Sequence, residues 1–416
     1  MSGLRRVALI SMHTSPIAQP GTGDAGGMNV YVAETAQRLA ARGIEVEIFT
    51  RATTSAQEPV FHPSPGVLVR HVPAGPFEGL SKADLPGQLC AFAAGVMREG
   101  ARSPEGWFDV IHSHYWLSGQ VGWLVSDRWR VPLVHTMHTM AKVKNAYLSA
   151  DDIAEPPGRL IGEEQVVGAA DVLVANTEQE RQELISLYAA DPARVRVVSP
   201  GVDLDLFSPG DRATARRNVA VAQEDLLLLF VGRIQPLKAP DVLVRAAARL
   251  IGRGDGLSGR IRVAILGGES GTGAGQTERL RQLADDLGIG HRVIFGEPVA
   301  RDVLAQWFRA ADLVIVPSYN ESFGLVAIEA AACGTPVVAA AVGGLPDAVG
   351  PGGVLVEGHD PHTWADAIGA LLADPDARDA LGRKAIEHAR GFSWERTVDH
   401  LVEVYEQARE DQETDS

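Results

Sequence analysis

The sequence predicts an α/β protein built from two parallel-sheet domains, and three observations carry that expectation. Short apolar runs alternate with amphipathic helical stretches along the whole chain, the pattern of strand-helix-strand units. A Pro/Gly/Asp-rich segment after Val202, running through Gly210, interrupts the alternation near mid-chain and reads as an interdomain linker. At 416 residues the chain is too long for one ordinary core and suits two domains of about 200 residues each. The expected domains are 1–202 and 203–393.

Charge narrows the partners. A net charge of −15 argues against a general nucleic-acid binder or a protein of anionic membranes, which need broad basic surfaces. Any anionic substrate must then be met by local cations. The two cysteines, Cys90 and Cys333, lie far apart in apolar helical patterns, so a disulfide framework is not expected and a reducing compartment is favoured. The chain starts straight into a strand, without an apolar signal region or spanning stretch, and a cytoplasmic protein is expected.

In the first half, the strand over 7–12 meets a Gly-rich loop over 20–29 and a helix over 30–42, a unit suited to holding an anion. Its glycines, Gly21, Gly23, Gly26 and Gly27, do not follow the usual dinucleotide fingerprint. Strands over 44–50 and 67–72 follow, with Lys82 just before a helix over 85–98. The strands 109–112 and 131–136 end in His112-Ser-His-Tyr-Trp116 and His135-Thr-Met-His138-Thr139, polar and aromatic groups where doubly wound sheets bind ligands. Four histidines there raise the question of zinc, but no carboxylate or thiolate partner accompanies them, and polar lining is the reading. Past an irregular stretch over 142–159 come a helix over 160–169, a strand over 171–175 and a helix over 178–188.

In the second half, the buried strand 226–231 ends in Gly232-Arg-Ile-Gln-Pro-Leu-Lys238, with a helix from 240. Arg233 can fork onto a phosphate and Lys238 adds a point charge; salt bridging to nearby acids is the plainer alternative. The strand 263–266 leads to a glycine loop over 267–273 that has no Gly-Lys-Ser/Thr, which disfavours ATP chemistry. After the strand 293–295, the loop 296–299 could lie along a base. The richest stretch is 317–336. A strand over 312–317 runs through Glu321 into a helix over 323–332, placing Glu329 about two turns on, where it can point back to the same crevice. The open amides near Phe323, Gly324 and Leu325 suit a phosphate, and a carboxylate on either side suits sugar hydroxyls. Strands over 336–339 and 353–356, helices from 362 and 377, and a last helix over 394–409 with a frayed acidic tail complete the chain.

Glu321-x7-Glu329 after Pro317-Ser318, with Phe323-Gly324 inside and Gly334-Thr-Pro-Val after, together with Gly232-Arg233-x4-Lys238, closely resembles retaining glycosyltransferases of family four. The resemblance covers nearly the whole chain. It implies two Rossmann-like domains facing across a cleft, the GT-B fold, with the helix over 394–416 returning to the first domain. The branch most similar transfers N-acetylglucosamine from UDP-N-acetylglucosamine to 1D-myo-inositol 3-phosphate, opening mycothiol synthesis, and a homodimer goes with it. Acceptor contacts then fall on His13, Asp24, Ala25, Gly26, Gly27, Met28 and Asn29, and an acceptor-phosphate cradle on Lys82, Tyr115, Thr139 and Arg159. Donor contacts fall on Gln19, Pro20, Gly27, Arg233, Lys238, Val299, Glu321, Phe323, Gly324, Leu325 and Glu329. The resemblance also associates a magnesium ion with Phe308, Arg309, Ala311 and Thr335, as a structural ion only; no cofactor is expected in the chemistry.

That chemistry is retaining transfer, with the acceptor hydroxyl attacking on the face from which UDP leaves. Arg233, Lys238 and the helix start stabilise the diphosphate, Glu321 holds the sugar, and His138 bonds a sugar hydroxyl or the oxocarbenium side. Alternatives are a related transferase with a sucrose-phosphate-type or phosphatidylinositol acceptor, a non-catalytic nucleotide-sugar-binding module, and a nicotinamide oxidoreductase. The missing fingerprint disfavours the last.

Overall fold

The computed structural model describes residues 3–146, 154–269 and 275–415. Part of the irregular stretch 142–159 and the end of the glycine loop 267–273 lie outside the described residues.

The first sheet has the spatial order Val60–Ser64, Val67–Val72, Glu45–Arg51, Arg6–Ile10, Val110–His114, Leu133–Thr136, Val172–Ala175, Val195–Val197. The second has the order Val293–Gly296, Ile261–Leu266, Leu226–Val231, Leu313–Val316, Val337–Ala340, Gly353–Val356. The second sheet is parallel throughout, as continuous apolar strands such as Leu226-Leu-Leu-Leu-Phe-Val231 require when helices cover both faces. The first is parallel except at one edge, where Val60–Ser64 pairs antiparallel to Val67–Val72. That edge strand contains Pro63, whose missing N–H confines it to a sheet edge and hides it from a strand reading.

Topology places the crevices. The strand Arg6–Ile10 pairs with Glu45–Arg51 on one side and Val110–His114 on the other, and Leu226–Val231 likewise lies between Ile261–Leu266 and Leu313–Val316. Successive crossovers leave in opposite directions at these central strands, which opens a crevice beyond their C-terminal ends. The glycine loop and the Gly232–Lys238 turn occupy those two positions.

Each half has its own buried core: one assembled from Val202 to Ala389, and two from residues before 199, of which one is joined by the last helix. That helix, Trp394–Asp415, buries Trp394, Val398, Leu401 and Tyr405 against Val7, Leu9, Tyr31 and Val32. Arg38 and Arg42 of the helix Gly27–Ala41 and its end fix it through Glu395 at 3.0 Å and Asp399 at 2.5 Å. It continues past 409, so the acidic segment is helical to Asp415 rather than frayed. Elsewhere boundaries shift for local reasons. Pro86 makes Lys82–Gln88 a 3-10 turn, and the α-helix begins at Leu89. The helix expected over 323–332 is Leu325–Ala332, because Gly324 sits at φ +105° and ends the strand-to-helix turn. Trp116–Trp129, Arg212–Asn218, Gln276–Asp286 and Arg301–Ala310 are further helices beyond those expected. Among the described residues no helix is long and apolar enough to cross a membrane.

Candidate active site

Between the two domains lies a cleft of about 370 Å³, lined from both sides. On the first-domain side the glycine loop runs along its rim. Gln19 Nε2 donates to the Pro298 carbonyl at 3.2 Å, next to Val299, so Gln19 and Pro20 meet the second domain directly. Gly27 faces Leu325 at the start of the helix Leu325–Ala332. Asn29 and Ala25 behave differently from their expected contact role. The Asn29 amide is 1 % exposed and is consumed inside the loop, donating to Thr14 Oγ1 and the Ser15 carbonyl and accepting from the Gly26 amide. Ala25 is buried with its amide and carbonyl both bonded within the loop. Both shape the loop, while Asp24, Gly26, Gly27 and Met28 line the cleft.

The strand ends contribute His13, Tyr115, His138 and Thr139. Tyr115, at φ 72° and ψ 149°, occupies backbone space that is nearly glycine's alone, and His138 lies at φ 58°. Such conformations cost about 1–3 kcal/mol each and persist where surrounding structure holds them, commonly at functional sites. The His138 carbonyl accepts from Ser322 Oγ at 2.7 Å, a bond across the cleft. Its Nε2 is 3.0 Å from His114 Nδ1. Burial, with His135 nearby, pulls His138 down to about 3, so it is a neutral hydrogen-bonding group and a poor proton acceptor at neutral pH. Burial also keeps His13 neutral, helped by Lys82, His138, Arg159 and Arg233.

Lys82 and Arg159 flank the Tyr115 ring, 5.6 and 5.1 Å from its centre. They differ in availability. Lys82 is half exposed, whereas Arg159 is 5 % exposed and already bonded to Glu163 at 2.7 Å, Glu155 at 2.9 Å and Thr139 Oγ1 at 3.0 Å. Burial opposes the Arg159 charge, but Tyr115, Glu163 and Glu155 outweigh it. Arg159 is not among the residues lining the cleft; it orients Thr139 and Tyr115, which are.

On the second-domain side, Lys238 is ion-paired with Glu321, which also accepts from Ser318 Oγ at 3.2 Å. The plainer expectation for that lysine, a bridge to a nearby acid, is thus met by the other residue of the same site. Arg233 reaches toward Asp24 of the first domain at 4.0 Å, and Lys82 lies 3.9 Å from the same oxygen. One carboxylate therefore stands between a cation from each domain. The first bonded amides of the helix Leu325–Ala332 are those of Ala327 and Ile328, so the open donors at its start extend to Val326, one residue beyond the expected Phe323, Gly324 and Leu325. Gly343 is the close neighbour that fixes Glu321: it lies at φ +52°, and a Cβ there would stand 2.0 Å from the Glu321 carbonyl. Glu329 is 6 % exposed, and burial pushes it up to about 7 despite Arg301, 3.9 Å away; Glu34 and Asp203 add to the rise. Ser322, Arg301 and Gly343 carry no motif of their own and were not expected; only the position of Arg301, opening a helix two residues after Val299, marks it.

The four residues associated with magnesium lie away from the cleft. Thr335 Oγ1 donates to the Phe308 carbonyl at 2.6 Å, Ala311 caps the helix Arg301–Ala310, and Arg309 turns to the Ser208 and Leu206 carbonyls. The Phe308 carbonyl accepts from both the Thr335 hydroxyl and the Ala311 amide, so these neutral oxygens at a helix C-terminus would hold a hard cation only if the hydroxyl turned from donor to ligand. Among the described residues no group of three His, Cys, Asp or Glu side chains could hold a metal.

Fold and cleft together define a GT-B glycosyltransferase. The family described as glycosyl transferases group 1 matches residues 211–388, and the glycosyl transferase 4-like domain matches residues 26–201. The D-inositol 3-phosphate glycosyltransferase of Actinosynnema mirum is 61% identical over 98% of this chain and 98% of its own. That of Mycolicibacterium smegmatis is also 61% identical, over 98% and 92%. Among solved structures, sucrose-phosphate synthase from Thermosynechococcus elongatus is similar at a TM-score of 0.88 and 32% identity, covering 97% of this chain and 98% of its own. The chain belongs to the D-inositol 3-phosphate glycosyltransferase family.

Proposed function

We propose that the protein moves N-acetylglucosamine from UDP-N-acetylglucosamine to 1D-myo-inositol 3-phosphate with retention of configuration, releasing UDP at the first step of mycothiol synthesis. The observation that carries the reading is the pair of cationic sites on one cleft. Lys82 stands over Tyr115 in the first domain, Arg233 and Lys238 stand beside a helix start in the second, and Asp24 lies between Lys82 and Arg233. An acceptor phosphate and a donor diphosphate bound there are neighbours, as transfer between them requires.

In this mechanism the diphosphate competes with Glu321 for the Lys238 ammonium, and the released carboxylate accepts from sugar hydroxyls. Arg233, Lys238 and the helix amides meet the charge that grows on the leaving UDP, so their stabilisation is greatest in the transition state. Glu329 takes the ribose and Val299 the base. Neutral His138 bonds the sugar face, and its carbonyl bond to Ser322 keeps the domains together around the reacting centre. A magnesium ion would be held by Phe308 and Thr335 oxygens as structural support, outside these steps. Two free thiols, Cys90 exposed and Cys333 buried, suit a reducing cytoplasm. We carry a homodimer as part of the same proposal, to be read from sedimentation.

The likeness to sucrose-phosphate synthase favours one second reading, a transferase with a different phosphorylated acceptor. A panel of donors and acceptors scored by product mass separates the two: a product of N-acetylglucosamine and inositol phosphate is expected, and a sucrose-phosphate product in its place would overturn the assignment. UDP release without any transfer product would leave a hydrolase, and no release would leave a binding module.

A further inference from the structure

Glu329 poses a physical problem. A carboxyl so deeply buried favours its neutral form, yet a carboxylate is the better acceptor for two ribose hydroxyls. Arg301 is the cation beside it, 3.9 Å away, and Arg301 is itself held from the other domain. Its Nη1 is ion-paired with Glu34, which is 5 % exposed on the helix Gly27–Ala41. Glu34 in turn also binds Arg38, which binds Glu395 at 3.0 Å. The guanidinium lies 5.3 Å from the Phe207 ring, and its buried Nε has no bonding partner among the described residues. Asp203 is the other acid near this cation.

We infer that Glu34 and Arg301 are positioning residues for the nucleoside half of the donor site, with Glu34 of the first domain holding the Arg301 guanidinium against Glu329 of the second. The inference rests on the proposed ribose role of Glu329. The arrangement follows from guanidinium shape: a planar fork can serve two carboxylates at once, whereas an ammonium serves as a point charge. With Glu34 absent, Arg301 is free to turn to Asp203 or solvent, and Glu329 loses its counter-charge. Ribose recognition in the second domain thereby depends on a residue of the first.

The test compares UDP with 2′-deoxy-UDP by calorimetry on the full chain. The wild type is expected to prefer UDP, and Glu34→Gln to cut that preference about tenfold, mainly through weaker UDP binding. Arg38→Ala removes the other partner of Glu34 without touching Arg301, and should leave the preference intact. Arg301→Lys keeps the charge and loses the fork, so it should also lower the preference; it provides an independent reading if Glu34→Gln does not fold. Adding Glu34→Gln to Arg301→Ala should change nothing further. A wild-type preference retained in both Glu34→Gln and Arg301→Lys overturns the inference, as does an equal loss in Arg38→Ala, which would point to helix packing. Equal binding of both nucleotides by the wild type would instead refute the ribose role of Glu329.

Discussion

Lys82→Met isolates the acceptor phosphate. The ammonium is 45 % exposed, makes one long ion pair with Asp24 at 3.9 Å, and stands 5.6 Å over Tyr115. Burial lowers its affinity for a proton, Asp24 raises it, and Arg233 and Arg159 lower it again. An arriving phosphate relieves that repulsion between cations. Exposed ion pairs of this kind contribute about 0–1 kcal/mol to stability, so the variant should melt close to the wild type. A hydrogen bond from a charged group to phosphate contributes about 1.5–3 kcal/mol, roughly a 10- to 150-fold rise in the KM for inositol phosphate. Inositol without phosphate should be used almost as well as before, and UDP affinity should be unchanged. Initial rates on both acceptors, with UDP binding by calorimetry, check each arm. If the preference for the phosphorylated acceptor survives, the phosphate sits elsewhere and the cradle around Tyr115 is wrong.

Arg159→Ala should act on stability first, because it takes the counter-cation from Glu163, which is 0 % exposed and keeps only neutral donors, the Ala141 amide and the Tyr188 hydroxyl; breaking such a pair costs about 3–5 kcal/mol, or about 10 °C in Tm by thermal melt. Ser322→Ala removes the bond to the His138 carbonyl and should lower kcat by about 2- to 12-fold in steady-state assays, with little change in Tm. Uridine has no phosphate to titrate, so its inhibition constant should improve from pH 6 to pH 8 as Glu329 ionises near 7, and Glu329→Gln should flatten that profile. The same shift sets a stability trend. Folded Glu329 and Glu180, both pushed up to about 7 by burial, hold protons that the unfolded chain releases near ~4.3, so stability should fall as pH rises across that window and level off above it; denaturant midpoints of the two Gln variants should vary less.

Much of the architecture is local and therefore legible. Runs such as Leu226-Leu-Leu-Leu-Phe-Val231 declare buried strands by composition, and Gly324 after a strand declares a turn into a helix. The motif proposed to hold the donor, with Glu321, Glu329, Arg233 and Lys238, is readable because its spacing is set within single strand-turn-helix units. The Val60–Ser64 edge and the helix Arg301–Ala310 escaped, the first because Pro63 masks it and the second because its neighbourhood read as loop.

What residue type cannot reveal is who pairs with whom across the fold. Asn29, Arg159 and Glu34 are ordinary polar residues in sequence, and only tertiary packing commits Asn29 to its own loop, Arg159 to Glu163 and Glu34 to Arg301. The bond from Ser322 to His138 spans 184 residues and that from Arg301 to Glu34 spans 267. Periodicity records which side of an element is buried; the partner it meets there depends on the crossing of two separately folded sheets, and that decides which cations and which carboxylates face the cleft.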